Sequence, residues 1–181
     1  MNIAIFDFEG TLVDFQWRLQ AAMEKVHPLL DHCISSAGLD REIIARADYC
    51  RLYNYLQNTI SDSALRTEII HQIASVYDCF DIDAARRWKL YPEVPGLLSA
   101  LKKAGWGLAL DSNVGRRVLD TMLAKFSLGD YFDLTVSRNE VFLLKPGTEG
   151  INLIRSFYQE KLTDMDQVFM VGDSVTDIET A

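Results

Sequence analysis

Short apolar runs alternate with amphipathic segments along most of this chain, and polar residues follow several of the runs. Four segments that contain such runs are predicted as strands, at residues 3–6, 107–110, 134–136 and 166–171. Continuous apolar runs of this length are typical of strands buried on both faces of a parallel sheet. Helical segments are predicted before the second run, at about residues 97–103, and between the last three runs, at about residues 115–126 and 148–161. This alternation predicts βαβ units and a parallel sheet.

Between residues 15 and 89 the pattern changes to helical periodicity alone. Apolar residues recur three or four positions apart, as at Ile69, Ile73 and Val76, and no strand-like alternation interrupts them. Asp40 and Asp62 stand where N-caps are expected, each just before a new periodic segment. We therefore predict an insertion of about four helices after the first strand.

The composition and net charge of the chain disfavour some classes of binding partner. The chain has 181 residues, of which 49% are apolar, so one core with an insertion is expected. Its formal net charge of −8 disfavours nucleic acid and provides no polybasic membrane patch. No apolar run approaches the roughly 20 residues of a membrane span. We expect neither a nucleic acid nor a membrane as a partner, and the oligomeric state stays open.

The cysteines and the start of the chain indicate a cytoplasmic protein. Only Met1 and Asn2 precede the first strand, which leaves no room for a signal peptide. The cysteines are odd in number and lack CxxC spacing, so free thiols are expected: Cys33, Cys50 and Cys79. The histidines lack metal-ligand spacing and are expected on the surface or in packing: His27, His32 and His71.

Residues suited to catalysis or ligand binding follow three of the four apolar runs. Asp7 ends the first run, and Gly10-Thr11 supplies the turn. Ligands in open α/β sheets bind beyond the carboxyl ends of the strands, so Asp7 is placed for chemistry. Three further motifs follow in order: Ser112-Asn113, Lys145-Pro146 and Gly172-Asp173-Ser174-Val175-Thr176-Asp177.

In this order and context, the four motifs resemble those of the haloacid dehalogenase-like hydrolase superfamily, over the whole chain. The resemblance implies an α/β fold, in which a Rossmann-like parallel sheet core carries an all-helical cap inserted after the first strand. The core would comprise residues 1–14 and 90–181, and the cap residues 15–89. The implied function is a Mg²⁺-dependent phosphohydrolase, which acts on a small phosphorylated metabolite through an aspartyl-phosphate intermediate.

The resemblance also assigns roles in catalysis and in substrate binding. Asp7 would be the nucleophile that attacks phosphorus, splitting one difficult step into two. Glu9 would be the acid/base that serves the leaving oxygen. The substrate phosphate would bind Ser112, Asn113 and Lys145, where a hydroxyl, nearby amide groups and an ammonium are available.

Mg²⁺ is the implied cofactor. The resemblance assigns it to Asp7, the backbone carbonyl of Glu9, and Asp173, whereas Asp177 would act through metal-bound water or orient Lys145. Four carboxylates against one ammonium would leave the site negative, and two carboxylates about 4 Å apart repel by roughly 4 kcal/mol at an effective dielectric near 20. A dianionic phosphate would hardly enter such a site without a metal.

Glu9 departs from the family pattern, in which an aspartate stands two residues after the nucleophile. Glutamate has similar acidity, but its extra methylene displaces the carboxyl by about 1 Å, a shift that can cost on the order of 100-fold in rate. Either Glu9 works as the acid/base, or the protein is a poor or specialised catalyst. A regulatory or binding protein that kept the phosphate site is the non-enzymatic alternative.

The sequence does not support three other activities of the superfamily equally. A dehalogenase is disfavoured because that chemistry needs no metal. A phosphonate hydrolase would need a cap lysine, and only Lys25 lies well inside the cap. A phosphomutase stays open.

Two structural expectations complete the prediction. The family continues beyond Asp177 with a helix and a strand, so the last strand is expected at a sheet edge, either because the chain is a fragment or because a partner replaces the missing part. The cap is expected to be a mobile lid, hinged near Val13-Asp14 and Tyr91-Pro92, with few other contacts to the core.

Overall fold

The computed structural model describes residues 1–35, 37–163 and 166–181. All four apolar runs form strands: β1 (Ile3–Phe6), β2 (Gly107–Asp111), β3 (Leu134–Val136) and β4 (Val168–Val171). Every pairing is parallel, in the order β3-β2-β1-β4. β1 and β2 are buried throughout, as expected for central strands covered on both faces. The predicted α/β fold is confirmed.

Four helices lie within the described part of the insertion: α1 (Leu19–Leu30), α2 (Arg41–Arg46), α3 (Tyr49–Thr59) and α4 (Ser63–Ala85). Asp40 caps α2 and Asp62 caps α4, each by accepting two backbone N–H groups of the first turn. α1 and α3 both pack against the long helix α4. We refer to this helical insertion as the cap.

Four more helices belong to the core: α5 (Val94–Lys103), α6 (Arg116–Lys125), α7 (Glu149–Tyr158) and α8 (Val175–Thr180). The sequence predicted this helix from about residue 97, but α5 already begins at Val94. Pro95 does not prevent this, because it lies in the first turn, where its missing N–H would have had no helical partner.

The cap shares its hydrophobic core with the sheet. One cluster of buried side chains includes Phe6 and Leu110 from the sheet together with Val26 and Ile73 from the cap. A separate, smaller cluster that includes Ile5 packs below the other face of the sheet. Cap and core are thus joined by continuous apolar packing.

Polar contacts join the cap and the core as well. Asn54 on α3 donates through Nδ2 to the carbonyl of Leu144 (2.7 Å) and accepts from the N–H of the same residue (2.8 Å). On α4, Asp81 accepts a hydrogen bond from Arg138 of the core at 2.8 Å. The expectation of few contacts beyond the two chain crossings is therefore wrong. Rotation of the cap stays a prediction, and such a motion would have to break these bonds.

β4 lies at an edge of the described sheet, where the sequence led us to expect it, and it pairs with β1. Its side chains are largely exposed, Phe169 among them. Of the described helices, none has both the length and the apolar character needed to cross a membrane.

Candidate active site

The first polar residues after β1 and β2 meet at one edge of the sheet. Asp7 and Ser112 are both buried there, because the strands that carry them are central. A cavity of about 250 Å³ opens beside them, which is below the usual range of about 300–1,000 Å³ for drug-sized ligands. All seven predicted site residues line this cavity: Asp7, Glu9, Ser112, Asn113, Lys145, Asp173 and Asp177.

Lys145 is buried between two carboxylates. Its Nζ donates to Oδ1 of Asp7 at 2.7 Å and to Oδ1 of Asp177 at 2.6 Å. Burial acts to lower the pKa of Lys145, but the two negative charges outweigh it and raise the pKa above its usual range. Burial also raises the pKa of Asp7, an effect that the charge of Lys145 opposes. The lysine therefore stays charged and holds the predicted nucleophile in place.

Three carboxylates converge as a metal site requires. One oxygen each from Asp7, Asp173 and Asp177 lies within 4.8 Å of the other two. Carboxylate oxygens are the ligands that Mg²⁺ accepts in proteins, usually together with water and substrate phosphate. The carboxylate of Glu9 is outside this group of described residues, so its assigned part in metal binding concerns its backbone carbonyl and stays a prediction.

Two glycines make room for these acids. Gly10 has a φ of +89°, which favours glycine, and a Cβ built there would collide with the carboxyl of Asp173. A Cβ at Gly172 would collide with the side chain of Asp177. The approach of the acids thus depends on the missing side chains, and the donor set fits a Mg²⁺ ion.

Asp173 and Asp177 differ in their surroundings. Asp177 is buried, and its Oδ2 accepts from the hydroxyl of Ser174 at 2.6 Å in a capping box that opens α8. Burial raises the pKa of Asp177, but Lys145 and Ser174 more than offset it and hold the pKa below its usual value. Asp173 is exposed to solvent. Asp177 is therefore held by hydrogen bonds within the structure, whereas Asp173 remains accessible to solvent.

The Glu9 carboxylate is anchored to both chain crossings. Its Oε1 accepts from the N–H of Gln16 (2.7 Å), the N–H of Trp17 (2.8 Å) and Nε1 of Trp88 (2.8 Å). Burial raises the pKa of Glu9 to about 7, even though these three bonds act to lower it. A carboxyl with such a pKa can both donate and accept a proton near neutrality.

Asn113 supports the lysine loop. Its Oδ1 accepts from the backbone N–H of Lys145 at 3.0 Å, and its Nδ2 donates to Sγ of Cys50 on α3 at 3.0 Å. The side chain of Asn113 therefore links the cap to the segment that carries Lys145. Its assigned contact with substrate phosphate, like that of Ser112, stays a prediction.

Sequence analysis missed a buried acid of the cap, Asp81. Its Oδ1 accepts from Nε1 of Trp17 (2.9 Å), and its Oδ2 accepts from the N–H of Gly115 (2.9 Å) and from Arg138. Burial raises the pKa of Asp81, and the charge of Arg138 opposes that rise. Asp81 also lines the cavity. It therefore ties the cap to the loop after Ser112-Asn113.

The sequence contained a signal for Asp81. It continues the four-residue spacing of the buried stripe on α4: Ile69, Ile73 and Tyr77. An acid in such a stripe is rarely buried without a partner. The partner itself, Arg138, lies 57 residues away, and no local pattern indicates it.

Asp111 is buried without a role in the cavity lining. Burial raises its pKa to about 6, and among the described residues its Oδ2 has no hydrogen-bond partner. Its carboxyl packs closely against Gly150, at the start of α7. Among the described residues, the geometry of Asp111 indicates no role beyond this packing.

Comparison with known proteins identifies the family of this chain. The family model described as haloacid dehalogenase-like hydrolase matches residues 4–181. The chain belongs to this family. It is 25% identical over 180 residues to a phosphoglycolate phosphatase of Vibrio vulnificus (strain YJ016), covering 98% of this chain and 78% of the relative. It is 26% identical over 182 residues to that of Aquifex aeolicus (strain VF5), covering 99% and 79%.

Comparison with solved structures agrees with the fold. A haloacid dehalogenase-like protein from Bacteroides fragilis superposes with a TM-score of 0.63 at 22% identity, covering 99% of this chain and 81% of that one. The resemblance that the four motifs indicated is therefore confirmed.

Proposed function

We propose that this protein is a Mg²⁺-dependent phosphatase that hydrolyses a small phosphate monoester through Asp7. The observation that carries the proposal is the position of Asp7, which is bound to the buried Lys145 and stands within a group of three converging carboxylates. The relatives named phosphoglycolate phosphatase support a phosphate monoester as the substrate class. The small cavity supports a small metabolite.

Phosphoryl transfer would proceed in two displacements. A carboxylate oxygen of Asp7 attacks phosphorus, the bond from phosphorus to the leaving oxygen breaks, and protonated Glu9 gives its proton to that oxygen. Water then attacks the aspartyl-phosphate and loses a proton to Glu9, which releases phosphate and restores Asp7. The raised pKa of Glu9 supports both transfers.

The surrounding residues would bind the phosphate rather than react. Lys145 and the hydroxyl of Ser112 face the cavity beside Asp7 and offer hydrogen bonds to phosphoryl oxygens. Mg²⁺ would be held by Asp7, Asp173 and Asp177, with the backbone carbonyl of Glu9, and would supply the positive charge that offsets the carboxylates. Trp17 and Tyr49 of the cap line the cavity and would exclude bulk water.

Hydrolysis of p-nitrophenyl phosphate by the full chain, with Mg²⁺ and after chelation, tests the proposal. Asp7→Asn should abolish turnover because an amide is a poor nucleophile, while Asp130→Asn, an exposed acid far along the chain, should leave turnover intact. Circular dichroism of each variant controls for folding. Activity above a few per cent in Asp7→Asn, or activity indifferent to chelation, would contradict the proposal.

A further inference from the structure

We infer that the alcohol released from the substrate is uncharged and largely apolar, and that it carries no carboxylate. This inference rests on the proposed function, and it concerns the part of the cavity that the cap lines. The residues that line this part, rather than those that bind phosphate, distinguish one phosphate ester from another.

Most of the cap side of the cavity is apolar and aromatic. The apolar lining residues come from the segment after β1 and from the start of α3: Phe15, Trp17, Leu19, Tyr49 and Cys50. Val114 continues the apolar lining on the core side. An alcohol that fills this space gains from contact with apolar surface rather than from ion pairing.

The aromatic lining is held rigidly. The rings of Trp17 and Tyr49 lie 4.7 Å apart at 35°, and Tyr77 and Phe80 each lie 5.6 Å from Trp17. The indole N–H is already used, because it donates to Asp81. Burial raises the pKa of Tyr49 well above its usual value, so its phenol stays uncharged. Trp17 therefore offers a substrate its ring and no free hydrogen-bond donor.

Positive charge is confined to the phosphate end. Of the described residues that line the cavity, only Lys145 is cationic, and it already binds two carboxylates. Two arginines that bridge cap and core are likewise in ion pairs, Arg51 with Glu179 at 3.1 Å and Arg138 with Asp81 at 2.8 Å. A carboxylate on the leaving group would find no unpaired cation among the described residues of the lining.

The cap side also contains negative charge. Asp48 lines the cavity at the start of α3. A second anionic group on the substrate would be repelled by this acid and would lose its hydration without replacement. Phosphoglycolate, which gives the relatives their name, is such a substrate. We therefore expect this chain to disfavour phosphoglycolate.

Binding of non-hydrolysable phosphonates tests the inference without requiring turnover. Titration calorimetry with Mg²⁺ present would compare propylphosphonate and phenylphosphonate with phosphonoacetate and aminoethylphosphonate. The two uncharged side groups should bind at least about 10-fold more tightly than the carboxylate. Equal or tighter binding of phosphonoacetate would overturn the inference, as would tighter binding of the cationic aminoethylphosphonate.

A pair of variants tests whether the cavity lining causes this preference. Leu19→Arg adds a cation to the lining, and Gln20→Arg adds the same charge one position away, outside the lining. We expect Leu19→Arg to reduce the preference for propylphosphonate over phosphonoacetate about 10-fold and Gln20→Arg to leave it unchanged. Identical ratios in the two variants would overturn the role of the lining.

The two proposals fail separately. If phenyl phosphate is not hydrolysed but the phosphonate ratios hold, the proposed function is wrong and the lining still selects uncharged groups. If phenyl phosphate is hydrolysed but phosphoglycolate has the larger kcat/KM, the inference is wrong and the phosphatase stands. If no phosphonate binds, both are wrong.

Discussion

Asp81 of the cap and Arg138 of the core form an ion pair with an N···O distance of 2.8 Å, and each side chain is only 2% exposed. Arg138 also donates to the backbone carbonyl of Asn113 at 2.8 Å. One buried guanidinium therefore connects α4 to the loop that follows β2. Its position explains how a cap inserted far upstream is held in register with the active-site loop.

We predict that Asp81→Asn lowers the free energy of unfolding by about 3 kcal/mol, because it removes the buried partner of Arg138 and leaves only the exposed Asp78 to compensate a buried charge. Asp78→Asn is the matched control. Asp78 contacts the same guanidinium at 2.5 Å but is 54% exposed, so its loss should cost about 1 kcal/mol or less. Urea denaturation of both variants measures the difference, and equal losses would contradict the prediction.

We predict that Asp173→Asn weakens Mg²⁺ binding at least about 10-fold, a change of the size seen when metal sites are perturbed. Because Asp173 is exposed, the stability of the metal-free protein should be unchanged. Asp177→Asn should instead destabilise the metal-free protein by about 1–3 kcal/mol, because the buried Lys145 loses a partner. Calorimetric Mg²⁺ titration and metal-free unfolding separate the two effects. A larger loss of Mg²⁺ affinity in Asp177→Asn would reverse the assignment.

The strands and the site motifs could be predicted because their signals are local. Residues 3–6 are apolar without interruption, since β1 is buried on both faces, and Asp7 follows where the strand ends. The side chains of Asp7 and Lys145, 138 residues apart, meet because parallel strands present their carboxyl ends at the same edge.

The direction of the Glu9 carboxylate could not be predicted in this way. One of its donors is the indole of Trp88, which is 79 residues away at the second crossing. The bond between Asn54 and Leu144 spans 90 residues and likewise depends on how the cap packs. Such contacts depend on tertiary packing, which the periodicity of apolar residues along the sequence does not indicate.

Asp111 provides a prediction of pH dependence. Its unfolded pKa is near 3.8, and burial raises the folded pKa to about 6. Between these values the folded protein holds a proton that the unfolded chain has released, so the contribution of Asp111 to stability falls as pH rises through this window. Asp111→Asn removes the effect, because an amide does not ionise.

We therefore expect Asp111→Asn to have the same free energy of unfolding as the unmodified protein near pH 4. Above pH 6 its free energy of unfolding should be higher, by on the order of 2 kcal/mol. Asp130→Asn, at an exposed acid, is the control and should show no such divergence. Thermal unfolding across this pH range is the measurement. A constant difference between the two proteins at all pH values would mean that Asp111 is not the titrating group.

Glu9 gives the prediction on which the catalytic proposal depends most. Its Oε1 holds three N–H donors, two from the first crossing and one from Trp88 at the second, all at 2.7–2.8 Å. A carboxyl shortened by one methylene would not reach all three donors, so the site is matched to glutamate.

We predict that Glu9→Asp lowers kcat, and that Glu9→Gln lowers it by about 10²–10⁴-fold, the usual contribution of general acid–base catalysis. Steady-state kinetics with a phosphate ester whose alcohol is a poor leaving group is the measurement, since such an ester needs the acid most. A higher kcat in Glu9→Asp would mean that the extra methylene is a defect, and indifference to both substitutions would remove Glu9 from the mechanism.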